Sequence, residues 1–189
     1  MTFEERLEGF VSLCEKMNFK LTDEFKDWLI ENGFFTAPAS TKYHGAYEGG
    51  LYDHSLAVTK RLVKLSVDNK LPWQRKESPF IVGMFHDLCK YDQYLKVQGT
   101  ATTIPGITLS EGYHYEHNQN TLLKGHGAKS IMLLSQFVTL TEEEMLCIRY
   151  HMGAFEKEEW AEFGAAVEKY QTVLWTHHAD MLASRVDGV

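Results

Sequence analysis

Nine histidines in 189 residues mark where chemistry has to be sought. His86-Asp87 is the only His-Asp doublet in the chain. Composition alone gives roughly 0.4 such pairs by chance, so the doublet by itself is weak. Its setting is more telling. It closes the apolar run Phe80-Ile-Val-Gly-Met-Phe-His-Asp, which places two polar groups at the end of a buried segment. A buried carboxylate is costly unless it is paired or bound to a metal. Lys90, three residues on, offers the pairing partner; a His-Asp-Lys corner on the surface is the plain alternative. His54 sits one turn into an amphipathic segment, His126 opens a helix in Gly-His-Gly-Ala-Lys-Ser, His151 closes one in Ile-Arg-Tyr-His-Met-Gly, and Asp180 lies inside the last helix among small and apolar neighbours. Neutral imidazole together with carboxylate suits borderline divalent metals such as Mn, Fe, Co, Ni and Zn. Taken singly, each of these residues reads equally well as a hydrogen-bonded polar group of the core.

The elements that must position them are mostly helices. Thr2 and Glu5 form a capping box ahead of a helix to about Met17, with Phe3, Leu7, Phe10, Val11 and Cys14 on one face. Thr22 caps a second helix that Gly33 stops. A loop over residues 36–50 leads into a third helix, from about Leu51 to Asp68, which carries His54. Ser78-Pro79 opens a short apolar helix that delivers His86 and Asp87. Residues 97–118, rich in Gly, Thr and Tyr, predict a small β-hairpin or ordered flap. Helices resume from about Lys124 to Phe137, then from Thr141, where Glu144 completes a second capping box, to His151. The spacing of Phe163, Val167, Tyr170, Leu174, His177 and Met181 predicts one long final helix ending near Arg185. The expected architecture is a single all-α domain spanning residues 1–189, with seven or eight helices and one hairpin.

Composition bounds the function. A formal net charge of −7 argues against a protein that grips nucleic acid by counterion release alone. A local cationic pocket, or bound metal, still admits a phosphate. The acids of Met1-Thr-Phe-Glu-Glu-Arg do not suit a secretory signal, and apolar runs such as Ile131 to Leu134 fall far below the roughly 18 residues of a membrane span. Cys14, Cys89 and Cys147 are odd in number and scattered, which fits a reducing cytoplasm without a disulfide framework. No glycine pattern makes a dinucleotide fingerprint or a P-loop.

The order of these residues resembles the HD superfamily of metal-dependent phosphohydrolases. That family's pattern is a histidine, a His-Asp doublet and a distant aspartate converging from helices on one metal, matched here by His54, His86-Asp87 and Asp180. The likeness runs from about Tyr43 to Arg185, through Tyr-His-Gly-Ala-Tyr-Glu-Gly-Gly-Leu-Tyr-Asp-His-Ser, His-Asp-Leu-Cys-Lys, Gly-His-Gly-Ala-Lys-Ser and Arg-Tyr-His-Met-Gly. The chain resembles the HD domain appended to some bacterial exoribonucleases, whose OB domain is not expected here, and more closely resembles small stand-alone bacterial and phage HD proteins. The resemblance implies an HD-domain helical bundle. His126 and His151 fall where two-metal members place the ligands of a second ion, with Asp87 bridging.

The resemblance also implies a hydrolase acting on a small phosphorylated metabolite or nucleotide through a metal-activated hydroxide, with Asp87 and Lys90 in catalytic roles. Lys90 and Lys129 are expected to meet the anionic substrate. Lys129 is one helical turn from His126 and shares its face. His44 is expected at the substrate entrance, and Glu48 is a candidate for orienting a ligand histidine. Arg149 points away from His151. His177 reads as a core or supporting histidine, His178 as exposed, and Cys89 needs no nucleophilic role. His114, His117, Tyr113 and Tyr115 either stack on a base or pack the flap on the body. The same ligand set also serves di-iron oxygenases of this superfamily, and a non-catalytic metal-binding regulatory module is a third reading. No membrane partner and no dedicated nucleic-acid module are expected, and a homodimer stays open.

Overall fold

The computed structural model describes residues 1–99, 103–104, 107–108, 112–154 and 159–189. Helix starts follow the capping chemistry. Thr2 Oγ1 accepts from Glu5 N while Glu5 accepts from Thr2 N, opening α1 (Phe3–Lys16). Thr22 caps α2 (Asp23–Glu31), and Gly33 follows its end at φ +75°, a conformation that glycine adopts without strain. Then come α3 (Gly50–Asp68), α4 (Ser78–Phe85) with Pro79 in its first turn, and a 3-10 turn over Leu88–Asp92. The strands are β1 (Tyr94–Gln98), β2 (Thr103–Ile104), β3 (Ile107–Thr108) and β4 (Tyr113–His117). The remaining helices are α5 (His126–Leu134), α6 (Glu142–Arg149), α7 (Glu159–Lys169) and α8 (Thr172–Leu182), followed by a π-helical turn over Ala183–Asp187. The fold is thus all-α with a small β appendage, as expected. No helix among the described residues is long and apolar enough to cross a membrane.

β1 and β4 pair antiparallel, with Tyr94 opposite His117 and Gln98 opposite Tyr113, so the appendage begins three residues earlier than its glycines suggest. β2 and β3 form a separate antiparallel pair. Thr100, Thr102, Pro105 and Gly106, assigned to the flap from sequence, lie outside the described residues. Within the flap Tyr115 is buried, while Tyr113 is exposed beneath the Lys96 ammonium.

The expected long final helix is two helices. Its apolar spacing runs unbroken through Tyr170, and no glycine or proline marks the break between α7 and α8. The reason is tertiary: Tyr170 Oη donates to Glu142 and receives from Gln74, which pins the junction while α8 turns in against α3 and α6. α5 is also shorter than expected, because Gly125 at φ +87° leaves Lys124 outside it.

The core is aromatic where α1 and α2 close over α3 and α4. Phe10, Phe34, Phe35, Tyr52 and Phe85 are all essentially inaccessible and meet mostly edge to face. Two buried glutamates fasten the other side. Glu144 accepts from Arg75 Nε and Ser78 Oγ, both at 2.8 Å, and Glu143 accepts from Thr172 Oγ1 at 2.6 Å and Gln74 N at 2.8 Å. They tie α6 to the starts of α4 and α8. Two helix pairs touch backbone to backbone: a Cβ on Gly83 of α4 would lie 2.6 Å from Thr59 Cα of α3, and one on Gly127 of α5 would lie 2.6 Å from Arg149 Cα of α6. These contacts set how closely the histidine-bearing helices approach.

Candidate metal centre

α3 brings His54, the end of α4 brings His86 and Asp87, the end of α6 brings His151, and α8 brings Asp180; all are buried. α5 contributes His126, which is one-third exposed at its side chain. The first turn of α3 is held by Arg6 of α1, whose Nε and Nη2 each donate to the Asp53 carboxylate at 2.9 Å. That clamp fixes the residue next to His54. The turn after the doublet is held by Cys89 N donating to Ser130 Oγ at 3.0 Å.

Three of the histidines have their ring protons assigned by geometry. His54 Nδ1 lies 2.9 Å from the Val189 backbone oxygen, His86 Nδ1 2.9 Å from Gly83 O, and His151 Nδ1 2.8 Å from Ile148 O. Backbone oxygens only accept, so each Nδ1 must donate, and in a neutral ring the lone pair is then on Nε2. Those Nε2 atoms converge. His54 Nε2 and His86 Nε2 are 3.3 Å apart. They lie 3.6 and 3.5 Å from Asp87 Oδ2, and Asp180 Oδ1 is 3.2 Å from His54 Nε2. On the other side of the same carboxylate, His151 Nε2 is 3.4 Å and His126 Nδ1 3.6 Å from Asp87 Oδ1. Asp87 Oδ1 and His151 Nε2 are both buried with no hydrogen-bond partner.

Buried lone pairs that face one another call for a positive charge between them. Lys90 supplies one: its Nζ is 2.6 Å from Asp87 Oδ2, both side chains being buried. It sits on Oδ2 and leaves the Nε2 lone pairs of His54, His86 and His151 unanswered. His54, His86 and Asp87 each offer a ligand atom within 4.8 Å of the others and could hold a metal ion; so do Asp87, Cys89 and His126.

The electrostatics agree. Burial raises the Asp87 carboxyl, but Lys90 and His86 outweigh it and hold the group well below the usual range. Burial likewise acts on Asp180, yet the neighbouring imidazoles of His54, His86 and His151 bring it down to about 2. His86 is pushed down by burial, towards the neutral form a ligand needs. His126 is drawn up to about 10 by Asp87 and Cys89, so this edge of the carboxylate attracts positive charge.

No protein-family model, no curated protein and no solved structure matches this chain.

A cavity of about 210 Å³ opens onto Asp87, His126 and Asp180, walled by His44, Lys90, Tyr94, His177 and Arg185. A larger hollow of about 480 Å³ lies along the outer face of α3 and includes none of the clustered histidines. His44 lines the wall of this cavity, its ring 5.0 Å from that of His54, and burial lowers it to about 4. Lys129 is not brought to this cavity. Its ammonium lies 2.5 Å from Asp92 Oδ1, at the end of the 3-10 turn, and it lines a neighbouring hollow with His126. Glu48 orients no histidine; it is exposed and accepts from Lys96 at 3.1 Å. Arg149 pairs with Glu159, and His178 is exposed, both as the sequence suggests.

Arg185 and the Val189 backbone oxygen escape the sequence, while His177, read there as a core or supporting histidine, also reaches the cavity. Arg185 lies at the cavity rim. His177 lines the wall and donates from Nδ1 to His151 O at 2.8 Å. The Val189 backbone oxygen fixes the His54 tautomer. Only the helical phase of His177 carried a signal; the other two depend on how the last turn folds back.

Proposed function

We propose that this chain is a metal-dependent phosphohydrolase of the HD type, acting on a small phosphorylated metabolite or nucleotide. One observation carries the reading: the tautomers of His54, His86 and His151 are fixed by carbonyls so that three Nε2 lone pairs converge on one buried carboxylate, part of which has no partner. The donors divide into two sets sharing Asp87. His54, His86 and Asp180 stand on its Oδ2 side, His126 and His151 on its Oδ1 side. His54, His86 and Asp180 would hold one divalent transition metal ion and His126 and His151 a second, with Asp87 contributing between the two sets.

When bound, such a pair supplies Lewis acidity and a nucleophile active near neutral pH. The chain's own groups do the rest. Lys90 balances the buried Asp87 charge and reaches the cavity wall, where it meets an anionic substrate. Arg185 offers a guanidinium fork at the rim, suited to phosphoryl oxygens. His177 steadies the loop after α6 by holding His151 O.

The test is metal analysis by plasma mass spectrometry on wild type and Asp87→Ala purified without chelator, followed by a screen of phosphomonoesters and phosphodiesters. About two transition-metal ions per chain, lost in the variant, with phosphate release that chelator abolishes, is the expected result. A protein that takes up no Mn, Fe, Co, Ni or Zn, or that hydrolyses phosphate esters equally well after Asp87→Ala, overturns the reading.

A further inference from the structure

Cys89 lies two residues after the doublet, fully buried, with its sulfur close to the Asp87 carboxylate, one oxygen of which lacks a partner. Its Sγ is 3.6 Å from His126 Nδ1, and Sγ, Nδ1 and an Asp87 oxygen lie within 4.8 Å of one another. These separations can be compared with a coordination sphere. With metal–sulfur bonds of about 2.3 Å and metal–nitrogen bonds of about 2.1 Å, a tetrahedral angle places sulfur and nitrogen about 3.6 Å apart, and two nitrogen or oxygen ligands about 3.4 Å apart. The observed 3.6 Å from Cys89 Sγ to His126 Nδ1 and 3.4 Å from His151 Nε2 to Asp87 Oδ1 are edges of that size. The two orphaned atoms, Asp87 Oδ1 and His151 Nε2, are the independent sign that something positive belongs there.

We propose that Cys89 is a metal ligand on the Oδ1 side of Asp87, its thiol proton leaving to solvent as the ion binds. This rests on the metal-centre reading above and deepens it. The two half-sites are then chemically unlike. The Oδ2 side offers only nitrogen and oxygen. The Oδ1 side carries a soft thiolate, which favours Zn, Co or Fe over Mn or Mg. Cys14 and Cys147 are buried elsewhere in the apolar core and contribute nothing here.

Cobalt(II) titration of the full chain tests this, because thiolate–cobalt bonding gives an intense near-ultraviolet charge-transfer band that nitrogen and oxygen ligands do not. Wild type is expected to take up two ions and develop the band with one of them. Cys89→Ser is expected to lose the band while its far-ultraviolet dichroism stays native. X-ray absorption on zinc-loaded wild type needs no variant, and a sulfur shell at about 2.3 Å is expected. Two bound cobalt ions with ligand-field bands only, no sulfur shell, or a charge-transfer band that persists in Cys89→Ser overturns the role of Cys89 and leaves the metal centre standing. No cobalt uptake by wild type overturns both.

Discussion

His151 Nε2 and Asp87 Oδ1 face each other across 3.4 Å, both buried and without a hydrogen-bond partner, while Nδ1 of the same ring donates to Ile148 O. The other oxygen of the same carboxylate is taken by Lys90 at 2.6 Å and approached by His54 and His86. Asp87 therefore belongs to two polar environments at once. It can do so because the chain turns sharply from α4 into the 3-10 turn, leaving its side chain between α3, α5, α6 and α8.

Adding a divalent metal should raise thermal stability, and chelator should reverse the gain. An ion at about 100 times its Kd contributes roughly 2.7 kcal/mol. In a domain of this size that corresponds to about 5–11 °C in Tm. Calorimetry with Mn, Co, Ni and Zn reads it directly. His86→Ala should show a much smaller shift, and an equal shift in the two proteins would place the ion elsewhere.

In metal-free protein the Asp87–Lys90 pair is the main neutraliser of the centre. Asp87→Asn leaves the Lys90 ammonium buried without a counter-charge, a situation that costs about 3–5 kcal/mol. Adding Lys90→Met should recover a large part of that loss. Urea denaturation of the two single variants and the double variant in chelator closes the cycle. A double variant no more stable than Asp87→Asn would mean that the ammonium reaches water after all.

The choice of cation for the substrate separates Arg185 from Lys129. Arg185→Gln should weaken binding of inorganic phosphate to metal-loaded protein by about tenfold, the loss of one charge-assisted contact, with little change in stability. Lys129→Met should leave phosphate binding unchanged but cost about 1.5–3 kcal/mol through Asp92. Isothermal titration with phosphate and a denaturation curve for each variant check both halves, and the reverse pattern would restore Lys129 to the site.

Burial pushes the Cys147 thiol up to about 12. A raised acid favours its neutral form in the folded state, so its contribution is intact below the unfolded value near 9. It is lost as pH climbs from about 9 towards 12, by about 1.4 kcal/mol per pH unit. Stability measured by denaturation should begin to fall at about pH 9 and keep falling as the pH rises towards about 11. Native Cys147 should also resist alkylation that modifies the unfolded chain, and equal labelling of the two would contradict its burial.

The legible part of the fold and the centre is the part built from local interactions. Capping boxes at Thr2 and Thr141 involve residues three apart, so the sequence marks those starts. His54, His86, Asp87, His126, His151 and Asp180 stand out because each punctuates an apolar segment, and the structure gathers all six. The break at Tyr170, the capture of Lys129 by Asp92 and the return of Val189 to His54 are long-range contacts with no local signature. Cys89 could have been suspected: it shares a turn with the doublet, but only the packing of α5 shows that its sulfur faces His126.

The closest helix contact should control the centre from a distance. Gly127 follows His126, and a methyl group there collides with the Ile148 carbonyl and the Arg149 backbone, two to three residues before His151. Backbone cannot yield as a side-chain tip does, so Gly127→Ala must push α5 off α6. Overpacking of this kind costs about 1–3 kcal/mol. The larger effect should be geometric, since His126 and His151 ride on the two helices being separated. On the proposed two-ion centre, Gly127→Ala should therefore lose the ion assigned to His126 and His151 and keep the one assigned to His54, His86 and Asp180 on α3, α4 and α8. Gly83→Ala, which separates α4 from α3, should disturb the opposite half. Metal counting on the two variants distinguishes these outcomes, and two ions retained in both would mean that the centre tolerates helix displacement that rigid packing forbids.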